Sequence, residues 1–249
     1  SKLIAAKPSF EETLFEIPGV SGQEAVLPEQ IDIWKKMEII QENDGTKASY
    51  DGHFIKIPTD QIRLLGQHNY FDIGIAYAVC SLLKIEDTVF INGLKSYQPL
   101  PHRLQPLGEK DGIKYYDDSI STICETTIQA LNTLKDVDTV LIGGMDRGID
   151  YSELINFLSG HKVPHIILME ATGKRILEEI LNGYPDFQDK DRLVLTDHLE
   201  DAVAKAKELT RPGHSCLMSP AAASYGIFKN FEERGEVFAR LVSGSDKLM

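Results

Sequence analysis

Between an apolar run and an apparent helix, the stretch YYDDSISTICETTIQAL (115–131) sets Asp117, Asp118, Ser119, Ser121 and Thr122 almost side by side. One such side chain suffices to cap a helix, a contribution of roughly 0.5–2 kcal/mol. Five exceed that need. Local rules alone still assign the turn to a cap and polar surface. The functional reading is an anion held by the helix N-terminus and the hydroxyls, with a carboxylate left to take ribose hydroxyls or orient an amine.

Two more turns share this character. LIGGMDRGID (141–150) ends an apolar run with Gly143-Gly144 and carries Asp146, Arg147 and Gly148. Paired glycines admit close backbone approach, and Arg147 can fork onto a carboxylate; a solvated arginine in a turn explains the same residues. The pattern is not GxGxxG, so it is no dinucleotide fingerprint. LMSPAAASYGIFKNFEERG (217–235) repeats the theme, with three alanines permitting close approach and Ser224 expected to cap a helix running to about 242. Tight packing without a ligand explains it nearly as well. ATGKR (171–175) lacks the earlier glycine and the following hydroxyl of a P-loop. His161 and His165 have metal-like spacing, but Pro164 breaks the helix that would align them.

The elements that must position these turns follow from periodicity. Short apolar runs at 113–117, 139–144, 165–169, 192–196 and 215–218 alternate with helical stretches near 123–135, 151–159, 173–182, 199–209 and 224–242. Continuous apolar strands separated by helices imply an α/β fold, a mostly parallel sheet covered on both faces, with 103–109 as an antiparallel edge. Ligands bind such sheets beyond the carboxyl ends of the strands. That rule selects 117–122, 143–148, 170–174 and 219–224. Upstream, Asp51-Gly52 predicts a hairpin over 48–58, and Ile73, Ala76, Tyr77, Cys80 and Leu83 predict a helix over about 69–83. The segment 31–43 fits helix or strand, and 92–100 reads as a linker.

The net charge of −12 argues against nucleic acid and anionic membrane as partners. No run approaches the ~20 apolar residues of a membrane span. Three dispersed cysteines (Cys80, Cys124, Cys216) suggest reduced thiols and a cytoplasmic setting. The first sixty residues do not read as a self-contained core, and the sequence is expected to be part of a longer chain.

GQHNYFD (66–72), LPHRLQPLGEKDGIKYYDDSIST (100–122), GGMDRGID (143–150) and SPAAASYGIFKNFEERGEVF (219–238) together resemble the Mur ligase family, ATP-dependent amide ligases of peptidoglycan synthesis. The resemblance covers 64–242. It implies that 1–97 is the tail of a central ATPase domain and that 98–249 is a Rossmann-like C-terminal domain that brings the incoming amino acid. The P-loop, Mg2+ ligands and UDP-binding domain would lie upstream. The implied reaction joins glutamate to UDP-N-acetylmuramoyl-L-alanine through an acyl phosphate made with ATP. By motif, His68 and Asn69 lie near adenine, Arg103 reaches the phosphates and Asp118 takes the ribose. Ser119, Thr122, Arg147, Ser224 and Phe228 would contact glutamate. Two positions depart from the family pattern: Ile120 replaces a lysine, and Arg147 stands where lysine is frequent. They leave the configuration of the glutamate, D or L, open. A non-catalytic binding module, or another ligase of the superfamily such as folylpolyglutamate synthase, are the alternatives.

Overall fold

The computed structural model describes residues 3–4, 25–26, 37–42, 45–58, 67–160, 163–187 and 189–244. The chain divides into two compact units, Ser1–Gln98 and Pro99–Met249.

In the first unit, β1 (Leu3–Ile4) pairs in parallel with β2 (Ala25–Val26). β3 (Met37–Glu42), β4 (Gly45–Tyr50) and β5 (His53–Pro58) form an antiparallel sheet. The ambiguous segment is therefore a strand over 37–42, and its first half, 31–36, lies outside the described residues. Asp51 and Gly52 join β4 to β5 with φ of 50° and 81°, the left-handed pair that a two-residue hairpin turn needs. Ile73 and Tyr77 of α1 (Gln67–Leu82) bury against Ala48, Ile55 and Ile57 of the sheet. The linker expected at 92–100 is instead helical up to Ser96: α2 spans Asp87–Ser96. Pro99 and Pro101 suggest a linker, but they lie beyond the helix end, and Phe90, Ile91 and Leu94 pack on the same apolar cluster, a burial that outweighs the cost of about 1 kcal/mol for Gly93.

The second unit is the α/β layer structure expected from the alternation. Its strands are β6 (Gln105–Lys110), β7 (Ile113–Asp117), β8 (Val137–Gly143), β9 (His165–Met169), β10 (Leu193–Thr196) and β11 (Ser215–Met218). They lie in the order β10-β9-β8-β11-β7-β6, all parallel except β6, which pairs antiparallel with β7. Every residue of β8 is buried, which accounts for its apolar stretch Val140–Ile142; the two polar residues before it, Asp138 and Thr139, are bound to Arg211 and Thr210.

Helices α3 (Cys124–Thr133), α4 (Ser152–Gly160) and α5 (Glu170–Gly183) pack on one face through Leu131, Leu154, Ile155, Ile176 and Ile180. Helices α6 (Leu199–Leu209) and α7 (Phe231–Ser243) cover the other through Ala202, Val203, Phe238 and Val242. Two helix starts differ from expectation. α5 begins at Glu170, directly after β9, because Glu170 takes a φ of 60° and turns the chain within one residue. The expected loop over 170–174 is thus helix. α7 begins at Phe231, seven residues beyond Ser224, because Asn230 is the cap and accepts from the Glu233 N–H at 2.9 Å. The Glu233 carboxylate in return accepts from the Lys229 N–H. None of the three cysteines is paired. No helix among the described residues is long and apolar enough to cross a membrane.

The sheet also sets a tight steric limit at Gly143, which ends β8 with a φ of 139°. A Cβ there would sit 1.9 Å from the Met169 carbonyl oxygen of β9. Gly143→Ala should therefore cost about 3 kcal/mol or more of stability, read as a lower midpoint in urea denaturation. An unchanged midpoint would contradict this packing.

Candidate functional site

After β7 and β8 the chain passes to the α3–α5 face, whereas after β11 it passes to the α7 face. Because β11 lies between β7 and β8, the loops that follow these three strands meet where the chain diverges, the place where open α/β sheets bind ligands. The β7 loop is fastened to β11 by the Asp118 N–H, which donates to the Met218 carbonyl at 2.8 Å. The β8 loop is fastened to the β11 loop by the Met145 N–H, which donates to the Ala223 carbonyl at 2.8 Å.

Beneath the loops lies a buried polar network. Asp118, only 2% exposed, accepts from the Leu104 N–H at 3.0 Å and from the Ser219 hydroxyl at 2.7 Å. Ser219 also lies 3.0 Å from the Thr127 hydroxyl. Asp117 accepts from the Ser119 N–H at 2.9 Å through one oxygen, and its other oxygen lies 2.7 Å from His102 Nδ1. From α7, Arg234 enters the same region at 1% exposure. Its Nε donates to the Ser119 hydroxyl at 3.0 Å, and one terminal nitrogen donates to the carbonyls of Ser119 (2.8 Å) and Ala222 (3.0 Å). Burial pulls the Arg234 guanidinium down to about 10, against the opposing pull of Glu170 and Asp117. Burial likewise raises the Glu170 carboxyl.

No family model matches the chain. Curated relatives do. A UDP-N-acetylmuramoylalanine–D-glutamate ligase of Thermoanaerobacter sp. (strain X514) is 35% identical over 188 residues, 75% of this chain and 40% of the relative. The like-named ligase of Geotalea uraniireducens is 33% identical over 208 residues, 84% of this chain and 44% of the relative. The chain is thus similar to Mur ligases over three quarters of its length or more. It spans 40% and 44% of the lengths of these two Mur ligases.

Solved structures agree on the fold. Folylpolyglutamate synthase of Mycobacterium tuberculosis, complexed with ADP and AMPPCP, superposes with a TM-score of 0.58 at 14% identity, over 86% of this chain and 48% of that one. The UDP-N-acetylmuramoylalanyl-D-glutamyl-2,6-diaminopimelate–D-alanyl-D-alanyl ligase of Acinetobacter baumannii gives 0.55 at 16% identity, over 83% and 43%.

Within the second unit, the structure gathers Asp118, Ser119, Thr122, Arg147 and Ser224 onto the three loops. The exposed Arg147 donates to the Thr122 carbonyl at 2.7 Å, so these two residues touch. Ser119 differs from expectation. It is wholly buried, and its hydroxyl donates to the Phe231 carbonyl at 2.8 Å and accepts from Arg234, so it serves the framework instead of facing a substrate. Ser224 caps no helix; its carbonyl accepts from the Phe228 N–H at 3.1 Å. The half-buried Phe228 packs against the core under α6 and α7. Arg103 is half-buried just before β6, and its Nε has no hydrogen-bond partner among the described residues. His68 and Asn69 lie in the first turn of α1 in the other unit, Asn69 half-buried. Among the described residues there is no cluster of three or more His, Cys, Asp or Glu that could hold a metal ion. Sequence reading missed Arg234, which no local motif distinguishes, and His102, whose partner lies 15 residues away.

Burial pushes the Asp118 carboxyl up to about 6 from 3.8, outweighing the hydrogen bonds from Ser121, Ser219 and Leu104 that favour its ionised form. The folded state therefore holds this proton more tightly than the unfolded chain. Its contribution to stability is complete at low pH and is lost as pH rises through about 6. Asp118→Asn can keep an acceptor for the Leu104 N–H while removing the titration. Relative to this variant, the wild-type chain should lose on the order of 2 kcal/mol between about pH 4 and 7, measured by urea titrations across that range. Parallel stability curves would refute the burial argument.

Proposed function

We propose that this chain is the C-terminal part of an ATP-dependent ligase that joins glutamate to UDP-N-acetylmuramoyl-L-alanine. In this reading residues 1–97 are the end of the central ATPase domain, and 98–249 are the domain that delivers the amino acid. The division of the chain after Gln98 supports that boundary. The observation that carries the reading is the convergence of the β7, β8 and β11 loops, which brings the Arg147 guanidinium onto Thr122 in a chain 35% identical to such a ligase.

ATP transfers its terminal phosphoryl group to the acceptor's carboxylate, which gives an acyl phosphate and ADP. The glutamate amine then attacks the acyl carbon, the C–O bond to phosphate breaks, and an amide and inorganic phosphate result. Nothing in this unit needs to act as a nucleophile. Its work is positioning and charge complementarity, which exact no reorganisation at the moment of reaction. Arg147 would take a glutamate carboxylate bidentately, exchanging Thr122's carbonyl for the stronger charged acceptor. Thr122 and Ser224 would supply hydroxyls, with the Phe228 segment as a wall. Arg103, lacking a partner at Nε, would reach the ATP phosphates, and His68 and Asn69 the adenine. Asp118 retains acceptor capacity for ribose hydroxyls, because a carboxylate accepts about four hydrogen bonds and its protein partners occupy fewer. Mg2+ would be held by the upstream part of the parent ligase.

In the full-length ligase, Arg147→Ala should raise KM for glutamate roughly ten- to a hundred-fold, the loss of one charge-assisted contact, and barely alter KM for ATP. Equal effects on both would remove Arg147 from the glutamate site. Phosphate release measured with D- and L-glutamate in parallel assigns the configuration. Release with neither would overturn the ligase reading.

A further inference from the structure

His102 has no part in the chemistry just described, yet the β7 loop is built around it. It lies in the turn before β6 with a φ of 60°, a left-handed conformation that costs most residues energy and that His, Asn and Asp tolerate better. Its backbone is fixed at both ends: the N–H donates to Gln105 Oε1 at 2.8 Å, and the carbonyl accepts from the Ile120 N–H at 3.1 Å. Its ring lies edge-on to Phe231 at 6.2 Å between centroids, with Nδ1 2.7 Å from Asp117. The other Asp117 oxygen accepts from the Ser119 N–H. Imidazole, carboxylate and loop amide thus form one chain of contacts, and the backbone carbonyl of His102 closes it onto Ile120.

The helix beside this pair leaves no alternative seat. At Gly235 of α7, a Cβ would fall 2.1 Å from His102 Nδ1 and 2.5 Å from the Asp117 carboxylate, so only glycine lets the helix approach. The pair also stands at the head of a cavity of about 530 Å³ between the β6–β7 edge and α7, lined by Leu107, Tyr115, Ala239 and Val242 among others, so water can reach it.

We propose that His102 is a positioning residue of this ligase: by clamping Asp117 it holds loop 117–122 in the shape that presents Asp118 and Thr122 to substrate. This rests on the ligase reading for its kinetic consequence, but not for its structural one. The clamp is strongest with a charged imidazole. Asp117 faces the ring from β7, and Glu232 and Glu236 face it from α7, with Arg103 next along the chain and Glu109, Lys110 and Arg240 around the cavity. The hydrogen bond to Asp117 raises the imidazole's pKa above its ordinary 6.5, against the opposing effect of burial, and the three carboxylates add to the rise. The ionic clamp is therefore complete at low pH and weakens to a neutral hydrogen bond as pH rises through that raised value.

Two variants separate clamp from mere packing. His102→Ala removes the donor; His102→Asn keeps a neutral donor and a residue at ease at positive φ, but does not titrate. In the 249-residue chain itself, amide hydrogen exchange at Ser119 and Ile120 should accelerate roughly ten-fold or more in His102→Ala, with β8 and β9 unchanged, and be largely restored in His102→Asn. In the full-length ligase, KM for the loop-bound substrate should show a rise with pH in the wild type that is missing in His102→Asn, which keeps only the change due to Asp118. Wild-type exchange in His102→Ala, or exchange in His102→Asn as fast as in His102→Ala, would overturn the clamp. So would a pH profile of His102→Asn identical to the wild type's. A full-length chain with no ligase activity would sink the functional reading and leave the exchange experiment to decide on His102.

Discussion

Withdrawing a guanidinium from water carries a penalty of several kcal/mol, and the molecule meets it at Arg234 with three hydrogen bonds to two loops. Because the acceptors are Ser119 and Ala222, these bonds form only when the β7 and β11 loops hold one particular conformation, and the other terminal nitrogen, Nη1, has no partner among the described residues. The requirement runs both ways. Without Arg234, the buried Ser119 and Ala222 carbonyls lose a donor; without the loops, a buried cation has no partner. The seat of α7, the packing of Phe238 and Val242 beneath it, and the approach of Gly235 to the Asp117 carboxylate all follow from this fixed point.

The topology then converts a framework into a site. A strand inserted between two others, and followed by a helix on the opposite face, leaves a crevice that no connection crosses. The charges around it are sorted by depth. Asp117 and Asp118 are turned inward and bound to the protein, whereas Arg147 is exposed and Arg103 partly so. On a chain of net charge −12, the cations are thus left to face solvent where an anionic substrate would arrive, while two nearby carboxylates are tied up in donors.

How far all this could be read from residue types varies with the range of the interaction. β7, β9 and β11 occupy the predicted positions 113–117, 165–169 and 215–218: covered strands such as β9 and β11 are written mostly in apolar residues, and β7, next to the edge strand, alternates buried and half-buried positions. Ser224 misleads as the start of α7, although Asn230 and Glu233 carry the stronger signal, the spacing of a reciprocal cap. The helix over 92–96 was not legible, since its warrant is burial of Phe90, Ile91 and Leu94 against strands more than thirty residues away. Of the site, the three loops were visible as clusters of hydroxyls, glycines and acids. The division of labour within them was hidden, because Ser119 and Thr122 look alike until Arg234, over a hundred residues on, claims one of them.

The segment Tyr225–Lys229 is anchored at one end by the bridge between Met145 and Ala223 and at the other by the Asn230 cap, and it belongs to no strand or helix. Its ends are fixed by the scaffold, and Phe228 packs against the core under α6 and α7, whereas Tyr225 and Ile227 are exposed. Replacements of Tyr225 and Ile227 alter what approaches the crevice without disturbing sheet register or helix packing. Selection can therefore revise the preference for one amino acid over another, or for one mirror image over the other, while the load-carrying parts of the protein remain untouched.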